Sequence, residues 1–210
     1  MKLTHLFWDF DGTLYDSYPM MRDAMVSALA QLHIATDDSP DEVLKLLKVS
    51  VYHAACHYAS VSDITADAIV QTFQTYHQAV NEFTPYDGLA GCLGALHQAG
   101  IHHYLYTHRG KRAIDQLKKD GLYHYFSDAV TKEDGFPDKP SPDALLCLMK
   151  RNRIEPNDAA MIGDRGIDIS SGHHAGMRGI LFDPGGYYQG INAEMSVCSM
   201  DELCKKILSM

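Results

Sequence analysis

Two carboxylates two residues apart, Asp9 and Asp11, close a short apolar run and are followed at once by Gly12 and Thr13. Residues two apart on an extended chain point the same way, so the two acids crowd each other. A hard divalent cation relieves that repulsion. Magnesium takes oxygen ligands, keeps several waters and accepts substrate phosphate oxygens as well. A carboxylate held in this way can attack phosphorus and carry the phosphoryl group as an aspartyl-phosphate. A second carboxylate, its pKa raised by its neighbours, can protonate the leaving oxygen and then take a proton from water. Asp9 suits the first role and Asp11 the second. Gly12 lets the backbone come close to the phosphoryl group, and the amides around it can donate to phosphate oxygens. Asp-Gly between apolar residues is also a hairpin signal. The helical pattern after Tyr18, with no returning strand, argues against that reading.

Further candidates lie far along the chain. Thr107 ends an apolar run and precedes His108, Arg109 and Gly110; its hydroxyl can bind a phosphate oxygen, or simply cap the next helix. Lys139 stands between Pro137-Asp138 and Pro140, where two prolines limit the backbone. Its ammonium can offset the charge of a nucleophile and of a transferring phosphoryl group; most lysines are merely solvated. Gly163-Asp164-Arg165-Gly166-Ile167-Asp168 puts two acids four residues apart at a helix start, on one face. Asp164 can complete a metal site, with Asp168 a ligand or a support behind it. Either acid alone is equally an N-terminal capping group. His5, His102, His103, His173 and His174 lack a convincing ligand spacing and read as solvated or core residues.

Positioning these groups falls to an alternating pattern of elements. Leu3 to Phe10 reads as a buried strand. From about Tyr18 to Asn81 the periodicity is helical: Met21, Met25, Ala28, Leu29 and Leu32 share a face, Ser39-Pro40-Asp41-Glu42 starts a helix, and Thr65 to Val80 offers another. Beyond Thr84 to Gly88 the rhythm becomes strand and helix in turn. Helices are expected at Leu89 to Gln98, Lys111 to Lys119, Ser141 to Arg151, Ile167 to Ala175 and Asp201 to Leu208. Strands are expected at Ile101 to Thr107, Phe126 to Val130, Ala159 to Gly163 and Gly179 to Phe182. Such alternation implies an α/β fold with a parallel sheet covered by helices on both faces. Ligands bind outside the carboxyl ends of such strands, where Asp9, Asp11, Thr107, Lys139, Asp164 and Asp168 all fall. The helical block between the first strand and the rest reads as an inserted lid.

Composition bounds the partners. With 210 residues, 46% hydrophobic and 21% charged, the chain has the make-up of a soluble domain with a sizeable core. Acids outnumber bases by 27 to 18, a formal charge of -9, so nucleic acid is a poor partner. A small anion remains possible beside a bound cation. Cys56, Cys92, Cys147, Cys198 and Cys204 are odd in number and without CxxC spacing, which reads as reduced thiols in the cytoplasm. No signal peptide or membrane span is expected.

Taken together, Asp9-Phe10-Asp11-Gly12-Thr13-Leu14, then Thr107, then Lys139-Pro140-Ser141-Pro142-Asp143, then Gly163-Asp164 with Asp168, resemble the haloacid dehalogenase superfamily of phosphohydrolases, over nearly the whole chain. The resemblance is to its phosphoglycolate phosphatase and beta-phosphoglucomutase-like members with an α-helical cap. It implies a Rossmann-like core of residues 1–15 and 84–210 and a cap of residues 16–83. It implies Mg2+ as cofactor, with Asp9, Asp11 (through its carbonyl) and Asp164 as ligands and Asp168 close behind. Asp9 would be nucleophile, Asp11 the general acid and base, and Thr107 and Lys139 the holders of the phosphoryl group. Gly12, Thr13, His108, Arg109 and the cap residue Ser50 would join them around the substrate, a small phosphorylated metabolite. The protein would be a monomer or homodimer. The chain departs from the pattern at His108-Arg109, where many relatives have Asn after the threonine, and at Asp138. It departs also at Lys48 to His53, where relatives place a specificity loop, often with a glycine. Phosphosugar mutase activity is an alternative, as is phosphonate or haloacid hydrolysis. Asp11 argues against a dehalogenase, while Lys45 or Lys48 would supply the amine a phosphonate hydrolase needs.

Overall fold

The computed structural model describes residues 3–79 and 83–210; the expected helix ends at Val80 and Asn81 lie outside the described residues. The chain divides into two compact units, Met1–Tyr15 with Pro85–Met210, and Asp16–Thr84.

The first unit is built on β1 (His5–Trp8). Leu6, Phe7 and Trp8 are all fully buried, the continuous apolar run of a strand covered on both faces. The strand is shorter than the sequence suggests, because Asp9 onward bends into a loop. After β2 (Tyr15–Asp16) the chain enters the second unit. It returns at β3 (Thr84–Pro85), which pairs with β2 apart from the main sheet.

Four helices make up the second unit: α1 (Tyr18–Gln31), α2 (Pro40–Val49), α3 (Val51–Ala59) and α4 (Ala66–Ala79). Ser39 caps α2 as expected: its hydroxyl accepts from the Glu42 amide while the Glu42 carboxylate takes the Ser39 amide. The stretch Lys48 to His53 is not an open loop. Ser50, in extended backbone, ends α2 and starts α3, and its Oγ accepts the His53 amide at 2.9 Å. One capping residue thus makes the stretch where relatives place a loop a break between two helices. Met25, Leu29, Val43, Leu47, Tyr58, Ile69 and Phe73 form this unit's core.

Beyond β3 the elements alternate: α5 (Leu89–Gln98), β4 (His102–Tyr106), α6 (Arg112–Lys119), β5 (Phe126–Val130), α7 (Asp143–Asn152), β6 (Ala159–Gly163), α8 (Gly166–His174), β7 (Arg178–Phe182), β8 (Met195–Val197) and α9 (Met200–Leu208). The main sheet has six parallel strands in the order β5-β4-β1-β6-β7-β8. This is the expected Rossmann-like α/β core; β8, too short to show a pattern, escapes a sequence reading. The strand order runs outward in both directions from β1, which makes the ends of β1 and its neighbours a topological switch point. No helix among the described residues is long and apolar enough to cross a membrane, and the five cysteines are free thiols.

Candidate active site

Register brings three strand ends level. Trp8 pairs with Leu105 on one side and Ile162 on the other, so Asp9, Tyr106 and Gly163 follow in step, with Thr107 and Asp164 one residue further. The Asp9 amide still donates to the Ile162 carbonyl at 2.9 Å. Then the chain curls. The Leu14 and Tyr15 amides both donate to the Phe10 carbonyl at 3.0 Å, and the Gly12 amide to the Tyr15 carbonyl at 2.8 Å. Gly12 sits at φ 75°, a conformation that residues with a side chain adopt only under strain. Thr13 is fully buried, and its hydroxyl has no hydrogen-bond partner among the described residues.

Lys139 joins this crevice from the loop after β5. Its ammonium, buried, lies 2.6 Å from Asp9 Oδ1 and 2.8 Å from Asp168 Oδ1, and donates to the Tyr106 carbonyl at 3.1 Å. It also stands over the Tyr106 ring, 4.5 Å from its centre. Burial works against the charged lysine, but Asp168 and Asp9 outweigh it and hold its pKa above the ordinary value. For Asp9 the direction is also upward: burial disfavours the carboxylate, Lys139 opposes, and Asp168, Asp164 and Asp11 reinforce.

Asp168 reaches Lys139 because Gly163 lacks a side chain; a Cβ there would overlap the Asp168 Cβ and Cγ. The other Asp168 oxygen accepts the Arg165 amide at 3.0 Å. Carboxylate oxygens of Asp9, Asp164 and Asp168 lie within 4.8 Å of one another, the one such group of three among the described residues, and all three residues are buried. Three carboxylates around one ammonium leave an excess of negative charge out of water, which is costly unless a cation shares it. The all-oxygen donor set suits a hard ion such as magnesium.

The Asp11 side chain is not in that group. Arg109 grips it side-on: Nε donates to Oδ1 and Oδ2 at 3.1 and 2.9 Å, and Nη2 to Oδ1 at 2.6 Å. Thr107 is buried, and its hydroxyl accepts the Arg109 amide at 2.9 Å. His108 Nε2 accepts the Lys139 amide at 2.9 Å. Burial first, then the Lys139 charge, pushes the His108 pKa down to about 4. Ser50 lies in the second unit as the α3 cap.

The haloacid dehalogenase-like hydrolase family matches residues 6–182. The chain belongs to that family. It is 29% identical over 180 residues to the phosphoglycolate phosphatase of Vibrio vulnificus (strain YJ016), covering 80% of this chain and 78% of that one. It is 23% identical to the pyrophosphatase PpaX of Bacillus velezensis, covering 84% and 82% of the two chains. A hydrolase from Streptococcus pneumoniae TIGR4 shares the structure over the full length of both chains, at a TM-score of 0.67 and 27% identity. As a member of the haloacid dehalogenase-like hydrolases, the chain is an enzyme that hydrolyses its substrate.

Within this family member, strand ends and loops bring Asp9, Lys139, Asp164 and Asp168 together, with Thr107 on the neighbouring strand end. Sequence reasoning did not foresee four contacts: Lys139 shared between Asp9 and Asp168, Tyr106 beneath the ammonium, the fork of Arg109 on Asp11, and His108 on the Lys139 main chain. The strand-end position of Tyr106, just before Thr107, is the one signal that could have found it. The others depend on side-chain directions that spacing does not reveal.

Proposed function

We propose that this hydrolase is a magnesium-dependent phosphatase that cleaves a small phosphorylated metabolite through an aspartyl-phosphate on Asp9. The observation that carries the reading is the Asp9 carboxylate, buried at a strand end with Lys139 Nζ 2.6 Å away and two further acids beside it. The ammonium opposes the upward pull of burial on the Asp9 carboxyl and lowers the repulsion between it and an incoming phosphate. An Asp9 oxygen bonds to phosphorus as the ester P–O bond breaks, and Asp11 gives its proton to the leaving oxygen. Asp11 then takes a proton from water as that water attacks phosphorus. The acyl phosphate opens and the Asp9 carboxylate is restored. To exchange protons Asp11 has to loosen its fork with Arg109, which puts Arg109 within reach of the substrate.

Asp9 and Asp164, with the Asp11 carbonyl, would hold the magnesium, which supplies charge neutralisation and orientation of the phosphoryl oxygens. Asp168 acts from behind, because its two oxygens are engaged by Lys139 and the Arg165 amide. The Thr107 hydroxyl binds a phosphoryl oxygen, while Gly12, whose amide already donates to the Tyr15 carbonyl, lets the backbone approach the substrate closely. The unit Asp16–Thr84 serves as the cap that excludes water and selects the substrate. Relatives that bear the names phosphoglycolate phosphatase and pyrophosphatase support a small anionic substrate. Five free thiols support a reducing, cytoplasmic setting.

The test is hydrolysis of a panel of phosphorylated metabolites and a generic aryl phosphate by the wild type and by Asp9→Asn, with and without EDTA. The expected result is turnover that needs magnesium and vanishes in Asp9→Asn while circular dichroism is unchanged. Near-normal hydrolysis by that variant, or full activity in chelator, would end the proposal.

A further inference from the structure

Two histidines outside the reaction scheme touch the main chain of the lysine loop on either side. His108 follows the end of β4 and its Nε2 meets the Lys139 amide at 2.9 Å. His174 is the last residue of α8, and its Nδ1 meets the Pro140 carbonyl at 2.9 Å. An amide N–H only donates, so His108 Nε2 carries no proton; a carbonyl only accepts, so His174 Nδ1 carries one. The contacts are opposite in polarity, and each fixes the tautomer of its ring.

What lies between them is the root of a buried catalytic group. Lys139 sends its ammonium to 2.6 Å from Asp9 and 2.8 Å from Asp168. A lysine stem has four rotatable bonds and loses much rotamer entropy when it is fixed. Its head is held to tenths of an ångström only if the main chain beneath it is held too. Pro137 and Pro140 restrict that main chain, and the Ser141 amide closes a turn on the Asp138 carbonyl at 3.0 Å. Those local devices shape the turn around Lys139 without joining it to another element. Earlier in the loop, the Lys132 amide donates to the Arg109 carbonyl at 3.3 Å and Phe136 packs against the core; at Lys139 and Pro140 themselves, the main chain is met by the two histidines, one reaching from the end of β4 and the other from α8. Around His108, Asp138 Oδ1 lies 3.8 Å from Nε2 and the Tyr106 ring meets it edge-on at 6.1 Å. Burial and the Lys139 charge disfavour the imidazolium, which keeps the accepting nitrogen bare.

We propose that His108 and His174 are positioning residues: they clamp the main chain at Lys139 and Pro140 and thereby set the lysine ammonium against Asp9 and Asp168. The structural half of this stands on the two contacts alone, and its kinetic half rests on the phosphatase reading. His108, the more buried of the two and bonded to Lys139 itself, carries the larger share.

The test uses side chains that keep or lose one atom. Glutamine places an amide oxygen near the imidazole Nε2 and asparagine an NH2 near Nδ1, whereas leucine keeps bulk alone. His108→Gln, His108→Leu, His174→Asn and His174→Leu are compared with the wild type. The readouts are hydrogen exchange at the Lys139 amide, followed by NMR, and kcat and KM for an aryl phosphate with magnesium. In His108→Leu the Lys139 amide exchanges at least about tenfold faster, and kcat falls about tenfold while KM stays within about threefold. His108→Gln stays near the wild type on both readouts. His174→Leu moves both in the same direction by about threefold, and His174→Asn restores them. Unchanged exchange in His108→Leu, or equal damage in His108→Gln, overturns the clamp. Faster exchange with unchanged kcat overturns its role in turnover. If His108→Leu does not fold, His108→Asn, too short to reach the amide, takes its place and is expected to show the same loss. A wild type without turnover sinks the phosphatase reading, and amide exchange still decides whether the loop is clamped.

Discussion

Gly163 matters for what it lacks. The space its side chain would fill holds the Asp168 Cβ and Cγ, and from there Asp168 reaches Lys139 at 2.8 Å. Gly163→Ala must push Asp168 away or bend the end of β6. Overpacking of this kind costs about 1–3 kcal/mol, and it also withdraws one of the two carboxylates that hold the lysine. The expected outcome is a lower midpoint in urea and a loss of kcat larger than any change in KM, read from denaturation and steady-state kinetics. A variant with wild-type kinetics would show that Asp168 does not hold the lysine for catalysis. The residue types of this site were legible before the structure: Asp9, Lys139, Asp164 and Asp168 were all singled out by their places at strand ends. Their partners were not. Pairing of Lys139 with two acids, or of Arg109 with Asp11, is decided by side-chain direction across strands and loops, and one-dimensional spacing carries no record of it.

Elements were read with similar success where a clear period or a cap marked them. Ala159–Gly163 is a fully buried strand, Phe126–Val130 a partly exposed edge strand, and α5 runs as expected from Leu89 to Gln98. The failures came where one residue changed the local rule. Asp9 bends the chain out of β1, two residues before the apolar run ends. Ser50 divides a stretch that the sequence reads only as part of a helical block into the end of α2 and the start of α3. That capping contact has a measurable worth. Ser50→Ala removes the acceptor of the His53 amide and is expected to cost about 1 kcal/mol, while Ser50→Asp, which can still accept, keeps most of it. Thermal denaturation of both variants checks this. Should Ser50→Ala leave stability untouched and shift substrate preference instead, Ser50 belongs to the substrate, as the family resemblance implies.

At the scale of the whole molecule, stability depends on acid through a buried histidine. His103 on β4 is fully buried, and its Nδ1 accepts the Trp8 indole N–H at 3.0 Å. Burial is the main cause that pushes its pKa down from 6.5 to about 4. The unfolded chain therefore takes up the proton first, and folding is favoured wherever the ring is neutral in both states. The contribution is complete above about pH 6.5 and is lost as the pH falls toward 4, on the order of 3 kcal/mol across that window. Urea denaturation of the wild type and His103→Gln from pH 7 to pH 4 should show a steeper loss in the wild type. Equal slopes would mean that His103 gains its proton without unfolding.

The central place of β1 in the sheet has a consequence for how the protein is made. His5 takes His102 as its neighbour on one side and Ala159 on the other, so the strand that delivers Asp9 is made before both of its partners and completed only after them. Most of the chain must leave the ribosome before Leu6, Phe7 and Trp8 find their flanking strands. Until then an apolar segment waits with both edges open, the condition that invites wrong pairing. Pairings this distant in sequence also slow folding. Asp9 is thus made before the two strands that close around it.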